Sequence, residues 1–177
     1  WELSKPTIAQ VHGYCLGGGT HYGLTTDIVI AADDAYFSYP PLQGFGMPSG
    51  ECSIEPWVFM NWRRASYYLY TAEKVDAAKA LEYGLINEVV PRDELEDRVE
   101  SIARHIAQAP LTTLMATKAN IKRAWEMMGM RVHWQTSNDL VVLASMSSDV
   151  QQLIGQVLKG QIKPAEMAAR QAAAASD

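Results

Sequence analysis

Cysteine is scarce in this chain. Only Cys15 and Cys52 are present, far apart and with no Cys-x-x-Cys pair. A disulfide scaffold and a thiolate metal site are thereby excluded, and both residues read as reduced thiols. No apolar run approaches the roughly 20 residues that a membrane-spanning helix needs, so no membrane partner is expected. An excess of basic residues is also missing. Fifteen Lys and Arg against twenty Asp and Glu give a formal net charge of −5. A nucleic-acid partner, which demands a basic face, is not expected. A phosphorylated small ligand held by a few local cations remains compatible. The N-terminal residues lack the charged region, apolar core and small-residue site of a signal peptide, and a cytoplasmic location is expected.

What is present is ordinary globular material: 177 residues, 48% apolar and 20% charged, enough for one domain with a core. The first residue is Trp1, and Trp1-Glu-Leu-Ser-Lys-Pro6 reads as the end of a helix and a stop. That looks like a chain entered in the middle. The pattern changes near Pro91. Residues 1–91 carry short apolar runs broken by glycine and proline, and residues 92–177 read as helical with few interruptions.

Thr7 to Val11 and Asp27 to Ala32 read as buried strands, with Ala35 to Tyr39 as a third. Residues 40–51, rich in proline and glycine, read as a loop. Helices are expected around 54–60 and 63–71. Asp76 is placed to cap a short helix that Gly84 ends, and Asn87 to Val90 reads as a strand. Asp93 and Glu96 resemble a capping box, and Leu95, Val99, Ile102 and Ile106 share one helix face. Further helices are expected over 112–127, 131–146 and from Ser148 to Leu158, then a helix-prone tail from Pro164. Strands joined through helices make the fold class α/β.

The most informative stretch runs from Gln10 to Asp27, with Gly17-Gly18-Gly19 at its centre. It reads as a strand, a tight glycine turn and a helix start. The first N–H groups of a helix have no internal acceptor and sit at its positive end. A carbonyl oxygen placed there would be polarised. The run is no Walker loop, since no Gly-Lys-Ser/Thr follows, and it fails G-x-G-x-x-G because Tyr22 stands where the last glycine belongs. Gly19-Thr-His-Tyr-Gly23 has the spacing of a nucleophile elbow, with His in place of Ser. On the turn alone, close helix–strand packing is as good a reading as an anion or carbonyl site.

Lys5-Pro-Thr-Ile-Ala-Gln-Val-His-Gly-Tyr-Cys-Leu-Gly-Gly-Gly19, Asp27-Ile-Val-Ile-Ala-Ala-Asp33 and Ala35-Tyr-Phe37 together resemble the central signature of the crotonase, or enoyl-CoA hydratase/isomerase, superfamily. The resemblance continues through Gly46-Met-Pro48 and from Tyr70 to Pro91. It implies a spiral of β-β-α turns, of which this chain carries the C-terminal part, followed by a helical region that assembles homotrimers or dimers of trimers. It implies an acyl-CoA substrate, with CoA as part of the substrate and no separate cofactor. By resemblance Gly18 donates one backbone N–H to the thioester oxyanion. The second donor and much of the CoA-binding loop belong to the family's earlier half, so these residues alone are expected to be inactive. Leu16 and Gly17, flanking the turn, and Trp57 and Pro41 are expected to contact substrate.

The family's two catalytic glutamates have no counterpart. By the same resemblance the first would stand at His21 and the second at Pro41. Ordinary two-glutamate hydration is therefore not expected, whereas isomerase, hydrolase or C–C cleaving lyase chemistry on a CoA thioester is. His21 can serve as acid or base, because an unperturbed imidazole titrates near pH 6.5, and a helix N-terminus favours the neutral ring. Glu51 is the first candidate for a carboxylate acting with His21, and Glu55 the second. Trp57, Trp62, Tyr67 and Tyr68 read as core, or as the wall of a pocket for a bulky acyl group. Lys118 and Lys122 are spaced to meet CoA phosphates or to form a solvated helix face. His12, His105 and His133 have no metal-ligand partner at useful spacing, and no metal is expected. Two rival readings are a non-catalytic acyl-CoA-binding or scaffolding homologue, and a C-terminal half that needs a separate N-terminal segment.

Overall fold

The computed structural model describes residues 1–50 and 53–162. Its first half is a spiral. Strand β1 (Ile8–Val11) turns a corner into β2 (Tyr14–Leu16), and helix α1 (Gly18–Leu24) closes the first coil. Strands β3 (Ile28–Ala32) and β4 (Tyr36–Ser38) and helix α2 (Pro41–Phe45) repeat the path. The coils stack in parallel, Ile8 beside Ile28 and Tyr14 beside Tyr36. One sheet therefore has the order β1-β3-β6 and the other β2-β4-β5.

The corner needs glycine. Gly13 has φ +58°, a conformation that a Cβ disfavours. The side chain of Asp34, one coil later, accepts the Gly13 N–H at 3.2 Å. The central strand β3, between β1 and β6, is apolar on both faces, as a buried parallel strand must be. Ile30, Ala31, Ala32 and Phe37 are all at most 1% exposed.

Helices α3 (Glu55–Phe59) and α4 (Trp62–Thr71) follow, then β5 (Val75–Asp76), α5 (Ala77–Glu82) and β6 (Glu88–Val90). Asp76 caps α5 as its sequence position implies, accepting the Lys79 N–H at 2.8 Å, and Gly84 lies beyond the helix end at φ +74°. Helices α6 (Leu95–Ile106), α7 (Leu111–Met127), α8 (Met130–Ser145) and α9 (Ser148–Leu158) complete the described chain. Leu95, Val99 and Ile102 pack on Ile30 and Ala32.

Three local expectations are corrected. Part of the 40–51 loop is helical, because Pro41 sits in the first turn of α2, where its missing N–H is harmless. The Asp93/Glu96 capping box does not form, because a 3-10 turn over Arg92–Glu94 leads into α6 with no side-chain cap. Trp1 to Pro6 carry no helix. The tail from Pro164 lies outside the described residues.

Lys118 is a cross-link inside the fold. It is 7% exposed, and its ammonium donates to Asp27 Oδ2 at 2.7 Å and to the Lys5 carbonyl at 2.8 Å. The same carboxylate oxygen accepts from the Thr7 N–H and hydroxyl. One ion pair thus ties α7 to the entrances of β1 and β3, and this ammonium already has acceptors within the chain. Lys122 pairs with Glu2. Burial pushes Asp27 upward, but the hydrogen bonds from Lys118 and Thr7 outweigh it and hold the carboxyl below its usual range. A lowered folded-state value stabilises the fold above the unfolded-state pKa of about 3.9. That contribution is lost as acid titrates through the folded value. Lys118→Ala is expected to destabilise the fold by about 1.5–3 kcal/mol, the range for a hydrogen bond to a charged group. Urea unfolding at pH 7 checks this, and the difference from wild type should shrink in acid.

Candidate functional site

The glycine turn is built by two constraints. Gly17 has φ +53°, and a Cβ there would meet the Pro41 ring at 3.4 Å. Its N–H is taken by the Ser38 carbonyl at 2.9 Å, which ties the turn to the end of β4. Gly18 and Gly19 open α1 and are exposed. As the first helical residue, Gly18 has no intrahelical acceptor for its N–H. Thr20 points inward, and its hydroxyl donates to the Cys15 and Ser38 carbonyls.

His21 lies one turn after Gly18, on the same helix face. The residue is 5% exposed. Its ring stacks on Tyr39 with centroids 4.6 Å apart and planes 20° apart. Its Nε2 is 2.9 Å from Glu55 Oε1. Glu55 is fully buried at 0% exposure and begins α3, where the helix dipole favours a negative charge. Its second oxygen is 3.3 Å from the Ser49 hydroxyl, which in turn is 2.9 Å from that of Ser53. A carboxylate removed from water needs such partners. With Glu55 ionised, His21 donates from Nε2 and its Nδ1 is the basic nitrogen.

Of the two acids considered with His21, Glu55 meets it, while Glu51 lies outside the described residues. Pro41 covers the turn. Leu16, 38% exposed, ends β2 just before it. Trp57 lies elsewhere, in a cleft of about 330 Å³ lined by Trp1, Leu24, Ile54, Trp57, Trp125 and Met130. Trp62 and Tyr67 are 74% and 60% exposed and do not join that cleft.

Tyr39 and Ser49 carry weight at this site that their sequence positions do not announce, while Tyr68 is core, one of the two readings its helical position offered. Tyr68 is at 0% exposure. Its hydroxyl makes no hydrogen bond of full geometry among the described residues, and the Thr20 side chain is the polar group that acts on it. Burial first, and then the charge of Glu55, push this phenol well above its ordinary range, so it stays protonated. Cys15 is likewise pushed up by burial and is no nucleophile.

The comparisons with known proteins identify the family and the fold. The family described as enoyl-CoA hydratase/isomerase matches residues 1–155. The chain belongs to that family. The hydroxycinnamoyl-CoA hydratase-lyase of Pseudomonas fluorescens is 32% identical over 144 residues, covering 78% of this chain and 50% of that protein. The (7aS)-7a-methyl-1,5-dioxo-2,3,5,6,7,7a-hexahydro-1H-indene-carboxyl-CoA hydrolase of Mycobacterium tuberculosis is 33% identical over 118 residues, covering 67% and 47%. The crystal structure of an enoyl-CoA hydratase/isomerase from Xanthobacter autotrophicus Py2 superposes with a TM-score of 0.85 at 29% identity, covering 98% of this chain and 64% of that one. The spiral is therefore the crotonase fold. The chain spans about half the length of the curated relatives it matches.

Tyr68→Phe, which removes only that oxygen, is expected to change the stability of the fold by no more than about 1 kcal/mol, read as a urea midpoint close to that of the wild type at unchanged slope.

Proposed function

We propose that the protein processes acyl-CoA thioesters, with the Gly18 N–H as an oxyanion donor and the His21–Glu55 pair as its acid–base group. The observation that carries this reading is the 2.9 Å contact between His21 Nε2 and a carboxylate at 0% exposure. Glu55 orients the imidazole and stabilises the imidazolium that forms when Nδ1 takes a proton, as the carboxylate of a hydrolase triad does. The oxyanion donor lies one helical turn away, so carbonyl polarisation and proton transfer act on neighbouring atoms of one thioester.

One acid–base pair, with Pro41 in place of a second carboxylate, favours isomerisation, hydrolysis or C–C cleavage over two-glutamate hydration. The relatives named as a hydratase-lyase and a hydrolase support that range. In this reading CoA enters as part of the substrate and no further cofactor is used. Leu16, Gly17 and Pro41 border the reacting carbonyl, and the Trp57 cleft takes a bulky acyl group. A second oxyanion donor and further CoA contacts come from outside these residues, which alone are inactive. Exposed Met127, Leu140, Leu143 and Met146 on the C-terminal helices support assembly as a trimer or a dimer of trimers. A cytoplasmic location completes the reading.

A panel of acyl-CoA thioesters, assayed with the intact protein, tests it. His21→Ala is expected to lower kcat by about 10² or more, the usual yield of a positioned acid–base group. Gly18→Pro deletes the N–H at a helix position that tolerates proline, and is expected to cost about 2.7–4 kcal/mol in the barrier. Turnover unchanged by His21→Ala overturns the assignment. Thioester binding without turnover by wild type makes the protein a binding homologue instead.

A further inference from the structure

Glu55 does not hold itself against His21. Residues on either side of Glu55, namely Gly50, Ser53 and Trp57, are held by helix α8. Trp134 Nε1 donates to the Ser53 carbonyl at 2.9 Å. Trp57, two residues beyond Glu55, donates its indole N–H to His133 Nδ1 at 2.9 Å. At Gly50 a Cβ would fall 1.9 Å from Val141 Cγ2, so the loop backbone lies directly on the helix. Trp134, His133 and Val141 all belong to α8. The grip is polar at Ser53 and Trp57 and steric at Gly50.

An indole N–H can only donate. The His133 Nδ1 that receives it must therefore carry no proton. The ring is neutral, with its hydrogen on Nε2, facing the Ser137 hydroxyl at 3.3 Å. We propose that His133 is a positioning residue: its unprotonated Nδ1 anchors Trp57, and through α3 fixes Glu55 against His21. This rests on the reading of His21 and Glu55 as the reacting pair.

The surroundings of His133 support the neutral ring. Trp57 on α3 packs on it with ring centroids 5.8 Å apart, and Trp125 on α7 backs Trp57 edge to face at 6.0 Å. Burial pushes its pKa down, and Glu55, the charged group that acts on it, offsets this only in part. A depressed folded-state value makes the contribution complete above the unfolded-state pKa of about 6.5. It is lost as pH falls below that toward the folded value. Protonation at Nδ1 replaces the acceptor with a donor and breaks the bond to Trp57.

The test uses the intact protein in two independent arms. In the first, nitrogen-15 NMR of labelled histidine reads the His133 tautomer at pH 7.5 or above, chosen as roughly one unit over the free value. The Nε2–H form is expected, and the Nδ1–H form overturns the proposal whatever the enzyme turns over. In the second arm, pH–rate profiles compare wild type with three variants. His133→Ala and Trp57→Phe are expected to lower kcat by about tenfold to a hundredfold, the effect of a misplaced reacting group, and in His133→Ala, whose ring does not line the acyl cleft, KM is expected to change little. Trp57→Phe keeps an aromatic ring and covers the case in which His133→Ala fails to fold. His133→Asn supplies a side-chain carbonyl near the place of Nδ1 that cannot be protonated. It is expected to restore kcat and to remove the acid-side loss assigned to His133. Wild-type kcat in Trp57→Phe, or an acid limb unchanged in His133→Asn, overturns the proposal. If wild type turns over no thioester, the proposed function has failed, and the tautomer still decides whether His133 is the acceptor.

Discussion

A carboxylate with no access to water is the constraint around which this structure is arranged. Glu55 is fully buried, and an isolated charge in that position would be costly by several kcal/mol. The fold answers with the imidazole of His21 on one oxygen, the Ser49 hydroxyl near the other and a helix start beneath it. Each answer comes from a different part of the chain. His21 sits on α1 because the glycine turn aims that helix, Ser49 lies on the loop after α2, and Glu55 itself waits for α3 to begin. Removing any of these partners leaves the charge less compensated, so the local structures are coupled through it.

The C-terminal helices enter the same arrangement from outside. Their side chains reach the loop and α3 at Ser53, Trp57 and Gly50. Lys118 of α7 separately fastens the entrances of β1 and β3. The helical region is thus bound to the spiral by specific polar contacts as well as by apolar packing.

Much of the fold was legible because its signals are local. The strands over 8–11 and 28–32, the Asp76 cap and the Gly84 stop depend on residues within a few positions of one another. The glycine turn was legible for the same reason. Where neighbouring signals compete, the reading slipped. Prolines that mark a loop can equally begin a helix, as at Pro41, and a capping pair gives way to a 3-10 turn when Pro91 sets the approach. The site was harder. His21 and Glu55 are 34 residues apart, and Trp57 and His133 are 76 apart. Nothing in spacing could rank Glu55 above Glu51 or separate His133 from His105. Lys118 reads as a cation on a helix face until the fold brings Asp27 and the Lys5 carbonyl to it.

Gly50 and Val141 meet with no space for even a methyl group between them. Their contact ties the inheritance of two distant positions together. A lineage that gains a side chain at 50 must surrender volume at 141, or let the loop carrying Ser49 and Glu55 drift from the helix that steadies it. Among close kin of this chain, those two sites are expected to vary as a pair, and the permitted pairs to trace how far the loop can move while the buried acid keeps its place.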